Sequence, residues 1–361
     1  MVDPGAPLTA LAPPARPHLS RGDRLLPAWI AGAMVVGLGL GHLVPQLGAA
    51  LERIQVEGTS LPIAIGLLVM MYPVLAKVRY GDMGSVARDG RLLVPSLILN
   101  WVVGPLAMFL LAWAFLGADP AYRTGLILVG LARCIAMVLI WNDLACGDGT
   151  AAAVLVALNS LFQVVAYAVL GYFYLEVLPG WLGWQTTSVH VATGMIARSV
   201  VIFLGIPLVA GYLTRRIGER RRGRDWYEGR LIPRLAPLSR WGLLFTIVIL
   251  FALQGAAIVH RPWSVVRIAV PLLIYFAIMW GVSMAFGYRS RLGYPRTVTL
   301  AFTAAGNNFE LAIAVAIGTF GATSGEALAG VVGPLIEVPA LIALVYAATW
   351  SRRWFTSQAT R

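Results

Sequence analysis

The chain has 361 residues, of which 59% are apolar and only 12% charged, with 28 basic residues against 16 acidic ones and a formal net charge of +12. That apolar share, with a mean hydropathy of +0.77, excludes an ordinary soluble domain and indicates a polytopic membrane protein. The positive charge does not by itself point to nucleic acid, because the cytoplasmic loops of membrane proteins carry a basic excess.

Residues 1–25 are rich in Pro and Ala and lack a continuous apolar core, so they read as a flexible cytoplasmic tail rather than a signal peptide. Ten apolar segments follow, at 26–47, 61–78, 92–116, 124–146, 151–177, 192–214, 240–259, 266–287, 297–320 and 327–349. Each is near the ~20 residues that a helix needs to cross a bilayer. With the N-terminus inside, the inner segments carry 22 of the 28 basic residues and the outer segments only 4, while Arg133 and Arg198 lie within spans. This asymmetry predicts ten transmembrane helices with both termini cytoplasmic. The basic run RRIGERRRGRDWYEGR then falls in one cytoplasmic loop, where it sets topology or meets anionic lipid; no nucleic-acid partner is expected.

That loop divides the chain into two sets of five spans. An odd number per half inverts the second half relative to the first, an arrangement common in secondary transporters. The expected organisation is a first five-helix repeat at 26–177 and a sixth span with basic linker at 178–239, where the span 192–214 opens the second repeat. The remainder of that repeat occupies 240–349, and a cytoplasmic tail 350–361. Spans 4 and 9 are both interrupted by Gly and polar residues at corresponding depth, which predicts discontinuous crossing helices around a site near the membrane midplane.

The residues that carry chemistry lie in those two spans. Arg133 and Cys134 sit near the middle of the fourth, and ionisable groups at such depth are costly unless they face a cavity or a partner. Glu310, in the ninth, is a carboxylate placed to exchange a proton; a structural ion pair with Arg133 is the plainer reading. Asn307 and Asn308 supply amide groups where an unwound backbone needs partners. A free cysteine is usually a small buried hydrophobe, but Arg133 beside Cys134 adds positive potential that favours the reactive thiolate. Cys146 lies 12 residues on, about 18 Å along a helix, too far for a disulfide with Cys134. Asn159 and Glu337 are further intramembrane polar groups that fit the pathway, and Trp141 could wall it. There is no HExxH, no P-loop and no paired CxxC, so neither enzyme activity nor a cofactor is expected. Active transport must therefore draw on an ion gradient or a separate ATPase subunit.

Five blocks, MYPVLAKVRYGDM (71–83), NWVVGPLAMFLLAWAFL (100–116), GLARCIAMVLIWNDLACGD (130–148), LGIPLVAGYLTR (204–215) and NNFELAIAVAI (307–317), resemble the ten-span arsenical-resistance permeases. That family sits in the superfamily that includes the bile-acid/sodium symporters. The likeness covers nearly the whole chain from about residue 26. It implies efflux of arsenite, and in some members antimonite, across the plasma (cell inner) membrane in exchange for protons. It also implies that Cys134 is the required cysteine of the fourth span, transiently meeting arsenic(III), and that Glu310 is the proton-coupling acid of the ninth. Arg133, Trp141, Asn159, Asn308, Phe309 and Glu337 fall on motif positions in or near the family's pathway. Cys146 departs from the pattern, since a basic residue is expected there.

Trivalent arsenic is a soft centre that several thiolates would hold firmly; one thiol at mid-depth suits a carrier that must also release. The expected scheme binds arsenite near Cys134, with its hydroxyls on Asn308 and Asn159, and release follows protonation of Glu310 from outside. Two rivals remain: a sodium-coupled organic-anion symporter on the same fold, and a membrane receptor or scaffold that presents the 215–240 loop. Ala314, one turn beyond Glu310, offers no further amide for a sodium site, which favours protons.

Overall fold

A computed structural model describes residues 25–44, 46, 55–56, 59–78, 89–135, 137–184, 193–260 and 262–359. The N-terminal tail through residue 24 and the basic loop at 79–88 lie outside the described residues.

The described chain is almost wholly helical. In order come α1 (Leu26–Leu43), a two-residue antiparallel pair β1 (Gln55–Val56) and β2 (Thr59–Ser60), α2 (Leu61–Lys77), α3 (Gly90–Leu116), α4 (Pro120–Leu131) and α5 (Met137–Leu144). Then follow α6 (Gly149–Trp181), α7 (Gly194–Arg222), α8 (Ile232–His260), α9 (Pro262–Arg289), α10 (Tyr294–Ala305), α11 (Phe309–Phe320) and α12 (Gly325–Ala359). Among them α3, α6, α7, α8, α9 and α12 are individually long and apolar enough to cross a membrane. The shorter apolar helices α1, α2 and α11 lie among them. This is a multi-pass membrane protein.

Two of the predicted spans are broken. As the interruptions in spans 4 and 9 led one to expect, the stretch at 124–146 is α4 and α5, with non-helical backbone at 132–135, and the stretch at 297–320 is α10 and α11, separated at Gly306–Asn308. The long helices also carry widened π-helical turns at Leu99–Val103, Phe173–Val177 and Val201–Gly205, and a further one at Tyr227–Leu231 leads into α8. Each ends two residues before a proline, Pro105, Pro179, Pro207 and Pro233 respectively. A helical proline has no N–H and its ring crowds the carbonyl four residues back. Widening the preceding turn relieves both problems without breaking the helix.

The helices form two groups. α1, α2 and α8 pack together, joined by the second half of α7, while α3 to α6 and α9 to α12 form the larger group around both helix breaks. The close joints depend on residues without side chains. A Cβ on Gly211 would reach 2.7 Å from the backbone of Ala76, and one on Gly242 2.9 Å from Met70, so α7 and α8 both approach the backbone of α2.

The basic run from Arg215 corrects the sequence reading, which placed a loop there. α7 continues through Arg222, and Tyr227–Leu231 is helical. Arg215 is buried, with Glu228 at 2.6 Å, Glu219 at 2.9 Å and the Lys77 carbonyl at 3.1 Å, while the Tyr227 hydroxyl donates to Ala76 O at 2.9 Å. Part of the basic segment therefore fastens the end of α2. On the other group, Arg296 at the start of α10 meets Asp89 at 2.7 Å and Asp148 at 3.9 Å, which links the beginnings of α3, α6 and α10.

Candidate substrate site

The two breaks lie against each other. Extended backbone at 132–134 runs antiparallel to 306–308, with Arg133 paired to Asn307. Cys134 N–H donates to Gly306 O at 3.4 Å, and Asn308 N–H to Ala132 O at 3.1 Å. Each break thus supplies the backbone partners that the other lacks, as unwound chain inside a membrane requires. Gly306 permits the approach, since a Cβ there would sit 3.0 Å from that of Cys134.

Side chains complete the joint. The last carbonyls of α4 are taken in turn: Leu128 O by the Tyr167 hydroxyl at 2.9 Å, Val129 O by Asn307 Nδ2 at 2.7 Å, and Gly130 O by Arg133 Nη2. Arg133 Nη1 also donates to the Tyr275 hydroxyl at 3.0 Å and reaches Ala304 O, at the end of α10, at 3.5 Å. Its backbone N–H donates to Gln163 Oε1 of α6 at 2.6 Å. Arg133 is fully buried and meets no carboxylate among the described residues, so the ion pair with Glu310 is not formed. Its guanidinium is committed to helix-end carbonyls instead.

On the other side of the joint is a small cavity lined by Cys134, Ile135, Met137, Asn307, Asn308 and Glu310. Met70, Met71 and Val74 of α2 and Ser239 and Leu243 of α8 close it, so it lies between the two helix groups. Both second half-helices start here. The Met137 and Val138 N–H groups face the Cys134 sulfur, and the Asn308 side chain caps α11 by accepting from Leu311 N–H at 3.0 Å. Asn308 Nδ2 is buried with no partner in the protein. Helix N-termini with unused donors form an electropositive floor, suited to oxygen-rich or anionic groups. Glu310 stands in the first turn of α11 at that floor.

The remaining expected residues are distributed around this site. Glu337 on α12 is buried beside it, within electrostatic reach of Glu310 and Cys134 and facing the Asn307 backbone, and its Oε1 has no protein partner. Phe309 is buried against Gly333 of α12. Trp141 is buried in α5 and lies outside the cavity lining. Asn159 is also outside it; its Oδ1 accepts from Trp101 Nε1 at 3.2 Å, one turn before Gln163 on α6. Sequence reasoning passed over Tyr167 and Tyr275, tyrosines inside apolar spans whose hydroxyls serve the helix ends. It also passed over the α2 and α8 residues that close the cavity, for which apolar spans carry no local signal.

Two broken helices crossing at a cavity, held between two groups of long apolar helices, define a membrane transporter of the discontinuous-helix kind. The profile of the Sodium Bile acid symporter family matches residues 64–261. The chain is 57% identical over 94% of its length, and 91% of the relative's, to "Arsenical-resistance protein Acr3" of Corynebacterium glutamicum. It is 33% identical to a protein of the same name from Alkaliphilus metalliredigens, covering 92% of this chain and 94% of that one. An uncharacterized transporter of Synechocystis sp. is 34% identical over 92% and 90% of the two chains. The chain belongs to the Acr3 arsenical-resistance family of transporters, within the sodium bile acid symporter family.

Proposed function

We propose that this protein expels arsenite across the cytoplasmic membrane in exchange for protons, with antimonite as a second cargo. The observation that carries the reading is the cavity at the crossing, where one thiol, a carboxylate and an unpaired amide donor converge. As(OH)₃ bound there would meet the soft sulfur of Cys134. Its hydroxyls would accept from Asn308 Nδ2 and donate to Glu310. Proton and cargo then compete for one carboxylate, which is the elementary requirement of exchange. Asn159 supports the site from behind, through Trp101 and the same helix that carries Gln163.

Ten crossings with inverted repeats account for the grouping of the helices. If α4–α5 and α10–α11 each count as one crossing, the first two of each set of five (α1 and α2, then α7 and α8) form the smaller group, and the last three of each form the larger. The basic-residue count favours both termini in the cytoplasm. In that orientation the cavity, closed by residues near Lys77 on α2 and Arg240 on α8, would lie in the cytoplasmic half, where cargo for efflux is taken up.

Arsenite accumulation in everted vesicles under an imposed proton gradient tests the reading. Uptake driven by the gradient and independent of sodium is expected, and Cys134→Ala and Glu310→Gln should each abolish it. Full activity of Glu310→Gln would sink the proton scheme, and uptake that follows a sodium gradient would favour the organic-anion symporter that the family's description suggests.

A further inference from the structure

The joint that holds the broken helices has an unusual charge balance. α4 and α10, each of 12 residues, end at it with their C-termini. A helix C-terminus is equivalent to about half a negative charge, so the two together present about one. The Arg133 guanidinium carries one positive charge and touches both ends, through Gly130 O of α4 and Ala304 O of α10, with the Tyr275 hydroxyl as a third oxygen. It is wholly buried, its Nε has no partner, and no carboxylate balances it among the described residues. Space is reserved for it: a Cβ on Gly104 of α3 would stand 2.9 Å from Arg133 Nη1 and 3.2 Å from the Tyr275 hydroxyl.

Oxygen atoms from carbonyls and a hydroxyl, gathered at a focus of negative potential, are the ligands a small free cation would take. We propose that the Arg133 guanidinium is a tethered cation filling a cation site formed by the C-termini of α4 and α10 and the Tyr275 hydroxyl. The occupant is permanent because it is part of the chain. This site therefore cannot load and discharge an ion during a transport cycle, and the two C-termini keep their counter-charge whichever way the transporter faces. The inference concerns the joint alone and holds whatever the cargo is.

Thermal unfolding of the purified protein, followed through its 12 tryptophans, tests it without any transport assay. Arg133→Ala truncates the side chain at Cβ and leaves the oxygens facing an empty space. The variant should melt lower than the parent, and guanidinium at about 10 mM should recover at least half of that loss by refilling the site. The parent should not gain from guanidinium, nor the variant from urea or choline at the same concentration. A guanidinium response no larger in the variant than in the parent would overturn the proposal. Should Arg133→Ala fail to fold, Arg133→Lys and Arg133→Met decide, since both fill the space and only one carries charge. Lys should melt at least about 2 °C above Met, and equal melting would count against a cation site.

Discussion

At the scale of single residues, Cys146 shows how a departure from a family pattern gains a physical meaning. Its φ is 57°, the left-handed region, at the end of α5, where Gly147 N–H returns to Asn142 O at 2.8 Å. A side chain in that conformation costs roughly 1–2 kcal/mol that glycine avoids. Cys146→Gly should therefore raise the melting temperature and leave transport unchanged, since Cys146 is exposed and remote from the cavity lining. A lowered melting point would show instead that the thiol makes a stabilising contact. Gly333 is the opposite case. A Cβ there would enter the ring of Phe309, and overpacking of that kind costs about 1–3 kcal/mol. Gly333→Ala should destabilise the protein, with Phe309→Leu in the same chain recovering part of the loss in a melting curve. Glu337 lies one turn after Gly333 on α12, so transport should fall in the single variant as well. Sequence inspection found Cys134, Glu310 and Glu337 because charge and sulfur are rare in apolar spans, whereas Gly333 was invisible among the 38 glycines.

At the scale of elements, the crossing is held by few bonds, so each matters. Asn307 Nδ2 satisfies Val129 O across the joint at 2.7 Å. Asn307→Leu keeps the bulk but removes one of the two donors on Val129 O, which would keep only the Ala132 N–H at 3.1 Å, at a cost of about 0.5–1.5 kcal/mol. Faster amide exchange confined to 129–134 and 306–311 is the expected signature; uniform exchange throughout would mean that the joint is held elsewhere. The breaks were legible because Gly130, Gly306 and the asparagine pair interrupt otherwise apolar spans. The π turns were not, since proline in a membrane helix signals only that some adjustment occurs. Their recurrence two residues before Pro105, Pro179, Pro207 and Pro233 appears only in the backbone. The extent of α7 was missed because an arginine-rich stretch reads as solvated loop, whereas Arg215 and Tyr227 bury it against the end of α2.

For the whole molecule, the cavity belongs to neither helix group alone, since α2 and α8 close one side of it and the crossing forms the other. A cysteine at Ser239, in a chain whose own cysteines are alanine, should react with a membrane-impermeant thiol reagent applied to the cytoplasmic face. Reaction only from the opposite face would reverse the proposed orientation. That the chain crosses a membrane several times was legible in its long apolar runs, but which helices pair was not, because bilayer-facing and buried apolar side chains look alike in a sequence. The extended strands of the joint carry a further consequence. Successive side chains on extended backbone point to opposite sides, so Arg133 serves the helix ends while Cys134 faces the cavity. Insertion or deletion of one residue ahead of the joint would exchange them, presenting a fixed cation to the cargo and a thiol to the helix ends. On the proposed function, such a protein would still span the membrane, but its cavity would favour oxyanions over thiophilic centres. Across any lineage that keeps this chemistry, the lengths of α4 and α10 should therefore tolerate substitution far better than a change in length.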